Sequence, residues 1–118
     1  MMRSLVVKVT AGEDAPERCL QGLTVSSVAA ASGVSVSLWL TDESVWLATP
    51  GRDLVLPESP AASTLIAAVL DHGTVTVCTQ CAARRGLTQA DLSDGVRISG
   101  AASFVSEALA DDTQALVY

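Results

Sequence analysis

The segment from Thr74 to Gly86 reads TVTVCTQCAARRG. A β-branched run ends at Cys78, and a short helical stretch begins there. In an open parallel sheet, the carboxyl ends of the strands are where ligands bind. A cysteine at the N-cap or first turn of a helix faces free backbone N–H groups and the positive end of the helix dipole. Both favour thiolate over thiol, and the thiolate is the nucleophile of sulfur chemistry. Arg84 and Arg85 close the segment and add positive charge if a side chain folds back toward the sulfur. Cys81 completes a Cys-x-x-Cys spacing, which at a helix start can hold a reversible disulfide. The bland alternative is a small apolar residue filling a strand end.

Other chemistries find less support. Zinc needs four ligands, and only Cys19 and His72 stand beyond this pair, with no second close-spaced pair. Cys19 sits early in an apolar helix, which predicts burial. His72 precedes Gly73 at a helix end, which predicts a role at the carbonyl terminus. No Gly-x-Ser-x-Gly elbow is present. The first strand-to-helix turn, TAGEDAPE, carries carboxylates where a phosphate cradle needs glycines, which argues against a nucleotide or flavin site. Trp39 and Trp46 flank the loop after the second strand. Core packing is the default for both, with Trp46 a candidate to line the cleft beside Cys78.

The elements that position these residues follow from the pattern. Ser4 to Thr10 reads as a buried strand. Asp14 and Glu17 form a capping-box pair around Pro16, predicting a helix to about Ser32 that stops at Gly33. That helix is apolar on nearly all sides, so burial on more than one face is expected. Strands are expected over Val34–Leu40, Thr74–Cys78, Val96–Ser99 and Ala115–Tyr118. Helices are expected from Ser59-Pro60 to His72, over Gln80–Arg85 and over Ala101–Ala110. The stretch TDESVWLATPGRDLVLPESP begins with a cap-like Asp42 and a brief helical turn, and the Pro/Gly-containing loop that follows is the expected mobile segment. Apolar strands alternating with helices give an α/β fold with a mostly parallel sheet.

At 118 residues the chain has the length of a single domain, residues 1–118. Hydrophobic residues make up 49% and charged residues only 17%, so apolar surface remains for subunit contacts to cover. The net charge is −6, without the basic stripe of a nucleic-acid binder. No apolar run reaches the roughly 18 residues of a membrane span. The start MMRSLVVKVTAG reads as a strand rather than a signal peptide, because Lys8 interrupts the apolar run and no cleavage site follows. Three cysteines, an odd number, suit a reducing compartment, and a cytoplasmic protein is expected.

The stretch VTVCTQCAARRGL, followed by DGVRISGAASFVSEALADDTQALVY, resembles the DsrE/DsrF family, which includes the TusB, TusC and TusD sulfur-relay subunits. The matching residues are Cys78, Arg85, Gly86, Gly95 and Gly100, with Asp112 near the last strand. The resemblance implies a flavodoxin-like, three-layer fold with a five-stranded sheet and homo- or hetero-oligomers, often trimers or hexamers. It also implies that Cys78 carries sulfur as a persulfide. The expected function is then a sulfur relay, with sulfur accepted from a protein donor and passed to an acceptor, and with Arg84 or Arg85, read from the segment itself, supporting the sulfur anion. No metal or flavin is then needed. Cys81 is extra to the family pattern. It is either a resolving thiol, able to attack a persulfide and release sulfide, or a bystander. The alternatives are a thiol–disulfide module on Cys78 and Cys81, and a non-catalytic oligomeric scaffold.

Overall fold

The computed structural model describes residues 3–118, so Met1 and Met2 of the N-terminal stretch lie outside the described residues. Among the described residues five strands are present: β1 (Ser4–Val9), β2 (Ser35–Leu40), β3 (Thr74–Cys78), β4 (Arg97–Ser99) and β5 (Thr113–Val117). Four α-helices accompany them: α1 (Pro16–Ala31), α2 (Ala62–His72), α3 (Thr79–Arg84) and α4 (Ala101–Ala108). A 3₁₀ segment covers Asp42–Ala48. The sheet order is β4-β3-β2-β1-β5, and every neighbouring pair is parallel.

The order explains the layers. The chain steps one strand at a time from β1 to β4, then crosses back to lay β5 beside β1. Right-handed crossovers put helices of opposite travel on opposite faces. On one face Val7, Val9, Leu38, Leu40, Val75 and Val77 are fully buried against Leu23 of α1 and Val69 of α2. The other face carries Lys8, Ser37, Trp39, Thr76, Cys78 and Arg97, which the strand registers bring to one side. Among the described residues α4 alone covers it, and no α4 residue is fully buried.

Local chemistry departs from the sequence pattern at two helix starts. Asp14 does not cap α1. Its carboxylate accepts the Gly12 N–H at 2.8 Å, and Ala15 takes the N-cap without a side-chain bond. Pro16 at the helix start leaves one fewer N–H to satisfy, so Asp14 is free to close the preceding turn. The start of α2 falls at Ala62, beyond Ser59-Pro60. Asp53 caps it from ten residues upstream, accepting the Ser63 N–H at 2.9 Å and the Ser63 hydroxyl at 2.7 Å. With Leu54 and Leu56 packed on the core, this ties down the segment expected to be mobile. At its other end α1 stops as read: Gly33 is at φ +87°, and the Val34 N–H reaches the Ala29 carbonyl at 3.1 Å. Within the chain, α1 buries one face only, leaving Val28 60% exposed.

Gly73 is needed for a different reason from the one its position suggests. Its backbone is extended (φ −146°, ψ −155°), but a Cβ there would run into the Val36 carbonyl oxygen of β2. Gly73→Ala should therefore cost about 1–3 kcal/mol through overpacking against backbone. Urea unfolding checks this, and an unchanged midpoint would contradict it.

Candidate functional site

Cys78 is the last residue of β3 and the N-cap of α3, with an extended backbone (φ −63°, ψ 128°). Its side chain is half-buried and lines a hollow of about 50 Å³ with Lys8, Trp39, Thr41, Ala101 and Phe104. That is room for a few water-sized atoms. The Phe104 ring stands edge-on to Trp39, with centroids 5.5 Å apart and planes at 86°. The Lys8 ammonium lies 5.2 Å from the Phe104 centroid. Among the described residues no carboxylate pairs with Lys8, although it sits in the sheet interior.

Polar contacts hold the roof of this hollow. Glu107 of α4 accepts the Trp39 indole N–H at 3.2 Å and the Ser37 hydroxyl on one carboxylate oxygen. Its other oxygen receives Arg97 at 2.9 Å, and Arg97 also donates to the Thr76 hydroxyl at 2.6 Å. Glu107 thus links α4, a helix with no buried side chain of its own, to side chains of β2 and β4.

The three cysteines differ in acidity for stated causes. Burial pushes the Cys78 thiol up, but the backbone N–H and thiol of Cys81, the N–H of Gln80 and the charge of Lys8 outweigh it and hold the group below the ordinary thiol value. No full capping hydrogen bond forms, so the amides act by lying toward the sulfur. Burial raises Cys81. The Asp42 N–H works against that, while the Cys78 sulfur and the Asp42 carboxylate add to it, so the net shift is upward. Burial, helped by Asp14, pushes Cys19 to about 11. The result is a half-exposed sulfur that ionises easily beside a buried one that stays protonated.

Asp42 has a specific part in this. It is a non-glycine residue at φ 52°, a left-handed turn that directs its N–H to the Cys81 sulfur at 3.2 Å. Its carboxylate Oδ1 lies 3.8 Å from the same sulfur.

Of the expected site residues, Cys78 and Cys81 are brought together, and the arginines are not turned onto the sulfur. Arg85 chelates one Glu43 oxygen through Nε (3.0 Å) and Nη2 (2.9 Å), and its Nη1 donates to the Cys81 carbonyl at 3.1 Å. It ties α3 to the 3₁₀ segment. Arg84 is exposed in the last turn of α3. Arg85→Met should therefore loosen α3 but leave the pH midpoint of Cys78 alkylation where it was. A midpoint raised as far as that of Lys8→Met would contradict this placement. Trp46 also lies elsewhere: it stacks under Arg52 at 4.7 Å, beside Glu13 and Glu43. Trp39 takes the place at the hollow. Among the described residues no three His, Cys, Asp or Glu side chains converge as a metal set.

The DsrE/DsrF-like family model matches residues 3–115. The chain belongs to that family. Three solved structures share its fold. The YchN protein of E. coli superposes with a TM-score of 0.84 at 19% identity, covering 99% of this chain and 100% of its own. A protein of unknown function from Methanobacterium thermoautotrophicum gives 0.72 at 12%, covering 98% and 99%. A conserved protein of unknown function from Bacteroides thetaiotaomicron gives 0.68 at 15%, covering 98% and 94%. A comparison with curated protein sequences finds no match.

In this DsrE/DsrF-like chain, Lys8 and Phe104 are the site residues that sequence reading missed. The signal for Lys8 was present as the one charge inside the apolar run LVVKV. Among the described residues no helix is long and apolar enough to cross a membrane.

Proposed function

We propose that this DsrE/DsrF-like protein is a sulfur-relay carrier that holds sulfane sulfur as a persulfide on Cys78. The Cys78 thiolate attacks the outer sulfur of a donor persulfide. A bond forms between that sulfur and Cys78 Sγ, and the bond to the donor's inner sulfur breaks. The donor leaves as a thiolate, and the terminal proton stays on the transferred sulfur, so no oxidant is consumed. The reverse step on an acceptor thiol empties the carrier. The observation that carries this reading is the half-exposed Cys78 sulfur, held toward its anion by two amides and Lys8 at the edge of a small hollow.

The carrier works between a protein donor and a protein acceptor, in a reducing compartment such as the cytoplasm. Apolar side chains left open on α4 and β5 (Val105 at 51%, Leu109 at 79%, Val117 at 65% exposed) support self-association into a trimer or hexamer on the face that bears the hollow. No metal or flavin enters the transfer.

Labelled sulfane sulfur offered as a protein persulfide should move to the wild-type chain and not to Cys78→Ser. Equal labelling of both would overturn the reading.

A further inference from the structure

We infer that Cys81 is a resolving thiol, which discharges the Cys78 persulfide as hydrosulfide and leaves a Cys78–Cys81 disulfide. This rests on the persulfide reading of Cys78 and adds a second outcome at the same site.

The two sulfurs share the start of α3, Cys78 at the N-cap and Cys81 three residues on, a spacing that puts both on one side of the first turn. They differ in access. Cys78 opens on the hollow, while Cys81 is 5% exposed and lies behind it in the core. A persulfide built on Cys78 extends outward, so its inner sulfur stays next to Cys81. External thiols meet the outer sulfur, and Cys81 meets the inner one. Which sulfur is attacked decides the product. Attack on the outer sulfur passes the sulfur on. Attack on the inner one expels it.

The step balances without an added oxidant. The electron pair of Cys81 Sγ forms the new bond to Cys78 Sγ. The pair of the persulfide S–S bond leaves with the terminal sulfur. Cys81 sulfur is oxidised and the terminal sulfur is reduced, while Cys78 sulfur keeps its oxidation state. The persulfide anion and the Cys81 thiol become disulfide and hydrosulfide, and the proton given up by Cys81 is the one the departing sulfur carries away. The Asp42 carboxylate, 3.8 Å from Cys81 Sγ, is placed to hold that proton in transit. The Asp42 N–H at 3.2 Å holds the sulfur in line. A dithiol reductant then restores both thiols.

Full-length wild type, Cys81→Ser and Asp42→Asn should each be loaded with cysteine persulfide and freed of donor. Sulfide is then trapped with monobromobimane while chain mass is followed. Wild type should release one sulfide per chain and lose two hydrogens. Cys81→Ser should take up sulfur and release it at least about tenfold more slowly. Asn tolerates the left-handed turn, so Asp42→Asn keeps the N–H contact. It should release sulfide more slowly than wild type, with the deficit shrinking as pH rises. A wild type that keeps its added sulfur as long as Cys81→Ser overturns this inference while leaving the carrier reading standing. Equal sulfide release from wild type and Cys81→Ser overturns it as well. Sulfur uptake by none of the three chains overturns both.

Discussion

Iodoacetamide at neutral pH should alkylate Cys78 orders of magnitude faster than Cys19, with Cys81 also far behind. The sign follows from the acidities. Cys19, pushed up to about 11, is thiolate in only about one molecule in ten thousand at pH 7. Cys81 is shifted in the same direction, and Cys78 in the opposite one. The rate at Cys78 should rise with pH and level off at a lower pH than for an ordinary cysteine, because its anion is favoured in the folded chain. Lys8 supplies part of that preference from β1, two strands away on the same face of the sheet. Lys8→Met should move the midpoint up and slow labelling at pH 7, while Lys8→Arg should keep most of the effect. Peptide mapping of the alkylated chain across pH reads both. Labelling of Cys78 no faster than of Cys81, or a profile indifferent to Lys8, would contradict this electrostatic account.

The second large effect concerns the wall of the hollow. Trp39 is 2% exposed in the centre of the sheet, stacks edge-on with Phe104 and donates to Glu107. Trp39→Ala should cost roughly 3–5 kcal/mol, the range for removing a large buried aromatic. It also leaves the Glu107 oxygen with one donor fewer and lets α4 drift from the sheet. Glu107→Gln is the contrast. It keeps a carbonyl oxygen for Trp39 and Ser37 and gives up both the charge pairing and the acceptor for the half-exposed Arg97, which can turn to solvent, a pair worth under about 1 kcal/mol after solvent screening. Thermal and urea unfolding of the two variants should separate them clearly. Equal losses would mean that the carboxylate, and not the indole, holds α4 in place.

Much of this was legible along the chain because the signals are local. The runs SLVVKV, SVSLWL and TVTVC are rich in Val and Leu, and each is a strand whose one face is buried against the helices while the other is only partly covered. Cys78 was legible for the same reason: a strand that ends on cysteine just before a helix puts that cysteine at the N-cap whatever the rest of the fold does. What the sequence hid depends on partners far apart in number. Arg85 looked free to turn toward Cys78, but Glu43, 42 positions earlier, claims it. Asp53 reaches forward to cap α2, ten residues on, where the nearer Ser59-Pro60 carried the local signal. Lys8 reads as an interruption until the register puts it opposite Trp39 and α4 brings Phe104 over it. Of the two tryptophans, strand parity sends Trp39 to the Cys78 face, whereas Trp46 belongs to a 3₁₀ segment whose direction no periodicity gives.

Placement therefore does the chemical sorting between two thiols that the sequence leaves equivalent. One lies on the open side of the α3 N-terminus with Lys8 for company. The other lies on the core side, where burial keeps it protonated and the Asp42 amide meets its sulfur. In the proposed function the first carries the sulfur, and in the resolving-thiol inference the second discharges it as hydrosulfide.

The most direct measurement is intact mass after brief exposure to a persulfide donor, on wild type, Cys78→Ser and Cys81→Ser. A gain of one sulfur, about 32 Da, on Cys81→Ser and, at the earliest times, on wild type, but never on Cys78→Ser, is the predicted result. The same gain on Cys78→Ser, or none on any chain with a donor shown to be active, would contradict a carrier built on Cys78.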